Sequence, residues 1–118
     1  MKWSEVVKIH KQISATYIVN CELQSLLFSP DKRKLRIFFQ KGNDLFFCFQ
    51  PKTRSHIIES LKNAYKSHKL IPVFKKISPD HWENIGLHKI IRHYEGEDAN
   101  GRHSIIFVAS PNNIHPTL

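Results

Sequence analysis

The sequence predicts an α+β domain: a bent antiparallel sheet of three or more strands, a long helix packed on it, and then a β-hairpin segment. Three observations point there. Tyr17, Val19, Cys21 and Leu23 alternate along Ala15–Leu23 at the period of a half-buried strand. Ile57, Ile58, Leu61, Ala64 and Tyr65 fall on one stripe of a helix from Arg54 to about Lys66, with Lys62 and Lys66 on the wet side. Leu87–Tyr94 and His103–Ser110 are two strand-like runs joined by the polar stretch Glu95–Arg102.

In chain order, Trp3, Val6, Val7 and Ile13 give a short amphipathic helix over residues 3–13, with Ser4 and Glu5 suited to its opening turn. The strand over Ala15–Leu23 follows, extended after a bulge by Leu26–Ser29. Ser29-Pro30-Asp31-Lys32 has turn chemistry, because proline presets one backbone dihedral and aspartate bonds nearby amides. Leu35–Gln40 is a second strand, Lys41-Gly42-Asn43-Asp44 a tight hairpin connection, and Leu45–Gln50 a third strand, apolar on both faces and hence central. Pro51-Lys52-Thr53 ends it, and Thr53 is placed to cap the long helix. Lys69–Lys76 leads out through Pro72, and Ser78–Trp82 feeds a brief helix to Ile85 that Gly86 closes.

At 118 residues the chain is long enough for one working core. The charge changes sign near Leu70–Pro79. This divides the chain into a basic helix–strands–helix unit over residues 1–70, a linker over 71–79, and a helical turn plus β-hairpin over 80–118 that either stands apart or joins the same domain. The longest apolar runs are about five residues, as in Ile105–Ala109, against the ~20 a membrane span needs, and the charged N-terminus has no signal-peptide core. The expectation is a cytoplasmic protein, peripheral at membranes if its partner is a lipid. Cys21 and Cys48 form no CxxC pair and read as buried, reduced thiols. The eight histidines show no HExxH or other metal spacing, and the four glycines form no phosphate loop. His88, His93, Asp98 and Ser104 have the residue types of a hydrolase site without a nucleophile elbow. No catalytic residue, cofactor or metal site is expected, and the chain reads as a non-enzymatic binding module.

Two stretches resemble known families. Leu26-Leu27-Phe28-Ser29-Pro30, Lys34-Leu35-Arg36-Ile37, Phe46-Phe47-Cys48-Phe49 and the helix Arg54–Tyr65 resemble, over residues 18–66, the closing strands and helix of a pleckstrin-homology-like domain. In such a domain the last helix plugs the open end of a strongly bent sheet. Gly96-Glu97-Asp98-Ala99-Asn100-Gly101-Arg102, then Ile105–Ala109, Pro111 and His115, resemble over residues 90–118 the start of a Sec14-like (CRAL-TRIO) domain found beside Rho GTPase-activating modules. Both resemblances imply phosphoinositide membranes and small-GTPase signalling. The order helix, three strands, helix over the first 68 residues is also that of double-stranded RNA-binding domains.

Charge supplies the candidate site. Twelve lysines and arginines against three acids lie between Asp31 and Lys76, a net +9, while residues 1–30 carry +1 and residues 77–118 carry −2. The positive charge is therefore local, and local charge calls for an anionic partner. Lys32, Arg33, Lys34, Arg36 and Lys41 surround the first hairpin, where arginine forks and lysine point charges suit phosphate. Lys52 and Arg54 stand at the start of the long helix, whose free amides already favour anions. These seven are the predicted anion-binding residues, and Lys62, Lys66, Lys69, Lys75 and Lys76 read as a wet helix face and linker. The first expectation for the partner is a phosphoinositide or acidic membrane surface, with a small GTPase nearby. The alternatives are RNA phosphates and burial of exposed aromatics in a larger assembly. Of Phe38, Phe39, Phe46, Phe47 and Phe49, at least half must face the core; Phe38 or Phe47 at the surface beside Arg36 would favour nucleic acid.

Overall fold

In a computed structural model that describes residues 1–30, 38–98 and 101–112, the elements run α1 (Trp3–Ile9), β1 (Thr16–Val19), β2 (Glu22–Phe28), β3 (Phe38–Lys41), β4 (Asp44–Phe49), α2 (Ser55–Ser67), β5 (Ile71–Ser78), β6 (His81–Glu97) and β7 (His103–Pro111). The strands form a single sheet in the order β1-β2-β5-β6-β7-β4-β3. All neighbours are antiparallel except β2 and β5, which run parallel and are joined through the intervening β3–β4 hairpin and α2.

This corrects the expected architecture. The sheet is mixed and has seven strands, and the two helices are short, 7 and 13 residues. Four strands, not three, separate those helices, so the RNA-binding-domain order is not met. A pleckstrin-like domain ends on its helix, whereas α2 here leads back into β5 and two further strands of the same sheet. The Sec14-like stretch is the β6–β7 hairpin, paired from His88–Pro111 to Glu97–His103 and lying inside the sheet. Residues 71–79, expected to link two units, include β5, which lies between β2 and β6.

Local chemistry explains several boundaries. The alternation read as one strand over Ala15–Leu23 is a hairpin: Asn20 and Cys21 take φ of +51° and +63°, the left-handed pair of a type I′ turn, and Val19 pairs with Glu22 across it. Cys21 is consequently exposed at the turn and not buried in a strand, while Cys48 is buried in β4. Burial, reinforced by the charge of Asp98, pushes the Cys48 thiol up to about 11. The expected brief helix before Gly86 is the start of β6. Its 17 residues exceed the usual strand because it bends: the register shifts opposite Pro72 and again at Ile91, and Gly86 adopts φ +91°. Thr53 does not cap α2; the helix starts after Arg54 with no side-chain cap.

The sheet curls until its far strands meet. Phe28 on β2 and Phe38 on β3 lie five places apart in strand order, yet their rings are 5.5 Å apart, and both pack edge-on against Phe47. Inside the curl these rings join Leu23, Leu45, Ile71, Val73, Ile90 and Phe107, and α2 contributes Ile58, Leu61 and Ala64. The Ser60 hydroxyl ties α2 to the Cys21 carbonyl (3.0 Å), and Tyr65 packs edge-on against His93 of β6. Outside, α1 lays Val6 on Leu27, Phe74 and Trp82, with Trp3 tilted against Trp82. Phe38 and Phe47 are thus core residues, in line with the packing expected for at least half of these rings, and neither offers a surface for stacking.

His10, at the end of α1, is fully buried between Ser25 and Ser14. A carbonyl only accepts, so Nε2–H donates to the Ser14 carbonyl (2.8 Å), and Nδ1 accepts from the Ser25 hydroxyl (2.6 Å). Burial lowers the His10 pKa below the ordinary 6.5, against a smaller upward pull from Ser14, and burial lowers His88 likewise. The unfolded chain therefore binds protons at these sites before the folded one does. Their stabilisation is fully present above pH 6.5 and is lost as pH falls through the folded values. The urea midpoint is expected to drop between pH 7 and pH 5, with the His10 and His88 ring resonances titrating below 6.5 by NMR. Either ring titrating above 6.5 would contradict the burial argument.

Candidate functional site

The curled sheet leaves a mouth where β3, β5 and β7 finish and β4 and β6 begin. Gln40, Asn43, Leu45, Lys75, Ile85, His88 and Pro111 line it around about 310 Å³. Barrel mouths are favoured ligand sites, and this volume lies at the low end of the ~300–1,000 Å³ such sites usually offer, suited to one small ring system. α2 occupies different ground, on β1, the start of β2 and the later half of β6.

Each polar group in the mouth is held by its own element. Gly42, with φ +59°, opens the two-residue turn between β3 and β4 and sets Asn43 at the rim. The Lys75 ammonium donates to Gln40 Oε1 (3.0 Å), bridging β5 to β3 across the opening, and Gln40 Nε2 donates to the Gly42 carbonyl (2.9 Å). The Gln40 amide is thereby oriented, and the lysine retains two further N–H donors. His88 is 2 % exposed and donates from Nδ1 to the Gly86 carbonyl (3.0 Å). Burial keeps the ring neutral, so Nε2 is a bare acceptor on a side chain that lines the mouth. Donors from Lys75 and Asn43, an acceptor from His88, and apolar walls from Leu45, Ile85 and Pro111 can read the edge of a flat heterocycle.

Of the seven predicted cations, the three that the structure describes do not gather at one place. Lys32, Arg33, Lys34 and Arg36 lie outside the described residues. Lys41 is exposed at the β3–β4 turn, whereas Lys52 and Arg54 are exposed beyond the other end of β4, six residues or roughly 20 Å away. Lys75 falls in the stretch whose sequence reads as a linker, and Gln40, Asn43 and His88 carry no binding motif in the sequence. The signal that points to them is parity. Ile71, Val73 and Lys75 alternate inward with the core-facing residues of a strand, and His88 and Ile90 do the same. Lys62 within α2 and Lys69 just past its end are half-buried, and Lys66 is exposed.

No protein-family model matches the chain, and no curated protein sequence does. Solved structures do match, over essentially the whole length. The SRA (SET- and RING-associated) domain of SUVH5 in complex with methylated CHH DNA superposes with a TM-score of 0.71 at 17% identity, covering 100% of this chain and 88% of that one. The SUVH5 SRA bound to fully hydroxymethylated CG DNA gives 0.72 at 16% identity, covering 100% and 89%. The modification-dependent TagI restriction endonuclease gives 0.66 at 12% identity, covering 97% of this chain and 47% of the enzyme. The chain has the fold of an SRA domain. That fold differs from pleckstrin-like and Sec14-like domains, so both resemblances are overturned, and the phosphoinositide and small-GTPase reading that rested on them falls too. Among the described residues, no helix is long and apolar enough to cross a membrane.

Proposed function

We propose that the chain is a non-enzymatic DNA-binding module that draws one base, of a kind carrying a modification, out of the stack and into the mouth. The observation that carries this reading is the mouth itself: a small, polar-rimmed opening on a neutral buried histidine, in a fold shared along its length with domains solved on methylated and hydroxymethylated DNA. A flipped base is held by hydrogen bonds to its edge and by apolar walls, and Lys75, His88, Leu45 and Ile85 supply both. The formal charge of +8 favours nucleic acid over neutral partners and predicts affinity that falls steeply with salt. Lys41, Lys52 and Arg54, with Lys32, Arg33, Lys34 and Arg36, are proposed as phosphate contacts along the duplex.

The test is fluorescence anisotropy of the full chain with matched DNA duplexes that contain cytosine, 5-methylcytosine or 5-hydroxymethylcytosine at one position, beside an RNA duplex of the same sequence. Tighter binding to at least one modified duplex, by roughly tenfold or more, is expected, since each well-read base contact contributes ~1–3 kcal/mol. Equal binding to all DNA and RNA probes would overturn base reading, and absence of binding would overturn the function.

A further inference from the structure

The sheet's outer face carries a second feature that the mouth does not use. Phe46, Cys48, Ile106 and Val108 form a buried cluster there, flanked by half-buried Phe39 and Tyr94. Registers place Phe39 beside Phe46, Phe46 beside Val108, and Val108 beside Arg92, in one row across β3, β4, β7 and β6. Arg92 reaches that face because of a bulge. Ile90 points into the core, so plain alternation would turn Arg92 inward too, but the register shift between them turns it out. Its guanidinium lies 5.7 Å from the Phe46 ring centre and 5.1 Å from that of Tyr94. On the other flank the Lys41 ammonium sits 6.0 Å from Phe46, and Lys89 shares the outer side of β6.

Among the described residues no carboxylate stands within ion-pair distance of Arg92, Lys41 or Lys89. An arginine held over two rings has given up much of its side-chain freedom while keeping its N–H donors. Two lysines alongside, with Asp44 as the one acid in register opposite Lys41 across the turn, leave the strip net positive. The strip also starts at the mouth: Lys41 follows Gln40, and Lys89 follows His88.

We infer that this outer strip, centred on Arg92, is a phosphate-tracking surface for the nucleic-acid strand that passes over the rim of the mouth. Arg92 takes a phosphate by its fork, and Lys41 and Lys89 take neighbouring ones as point charges. The inference rests on the DNA-binding reading, yet it makes a separate demand: the strip contributes to affinity and not to recognition of the modification.

The same anisotropy assay separates the two, run from 50 to 300 mM salt with the cytosine and modified-cytosine duplexes. Arg92→Ala and the double variant Lys41→Ala/Lys89→Ala are each expected to weaken both duplexes together, by roughly fivefold for every phosphate interaction removed, and to flatten the log–log salt slope by about one per cation. The modified-to-unmodified ratio stays at the wild-type value. Arg92→Lys, which keeps the charge without the stacked fork, falls between. Thermal melts check the fold, and the exposed Lys41 with its half-buried partner carries the test if Arg92→Ala unfolds. Wild-type affinity and salt slope in both variants, with the wild type binding DNA, overturn the strip. Absence of binding by the wild type overturns the reading beneath it.

Discussion

Replacing Phe28 by alanine is expected to cost about 3–5 kcal/mol, as large as a single core substitution typically costs. Phe28 is fully buried, and its ring meets both Phe38 and Phe47 edge-on at 5.5 Å. It does more than fill volume, because it is where β2 meets β3 across the curl. Against a total stability of ~5–15 kcal/mol, such a loss takes about a fifth or more. For a chain of this size it should lower the melting temperature by roughly 10–20 °C. Phe39→Ala is the control. Phe39 is half-buried and stacks on Phe46 at 4.4 Å on the outer face, away from the closure, so about 1–2 kcal/mol is expected. Urea titrations of the two variants decide it. A Phe28 variant no weaker than the Phe39 variant would mean that the two strands do not meet.

That contrast also marks which parts of the fold are legible in the sequence. The stripe of α2 is legible because Ile58, Leu61 and Ala64 bury one face of an isolated helix, a local pattern. The Gly42-Asn43 turn and the paired runs that become β4, β6 and β7 are legible for the same reason. What hides the fold is long-range pairing. Nothing local says that β2 runs parallel to β5 across 42 intervening residues, and Pro72, beside a register shift, makes β5 look like a way out of a domain. The alternation through Cys21 looks continuous because a two-residue hairpin preserves the period of the strands it joins, and neither Asn20 nor Cys21 is glycine. Charge leaves a different gap. A count of lysines and arginines locates positive sequence, whereas a site needs positive space, and β4 holds Lys41 apart from Lys52 and Arg54.

His88→Leu is expected to remove discrimination between modified and unmodified DNA while leaving the fold intact. Leucine keeps an apolar side chain of similar bulk in a position only 2 % exposed, and it gives up one hydrogen bond, to the Gly86 carbonyl, at the rim of β6. The stability change should therefore stay within about 1–2 kcal/mol. Binding is another matter. A base donor that enters the mouth and meets leucine in place of a bare nitrogen has been stripped of water without compensation, and such mismatches cost ~1–3 kcal/mol. The modified-to-unmodified affinity ratio should fall to near one, with the salt slope unchanged because every phosphate interaction is kept. Lys75→Met removes the bridge to Gln40 along with a cation, so it should lower both the ratio and, by about one, the slope. The two variants thus leave different signatures, and both differ from those of the Arg92 strip. If His88→Leu discriminates as well as the wild type, the base does not enter beside His88, and the mouth is an ordinary opening in a curled sheet.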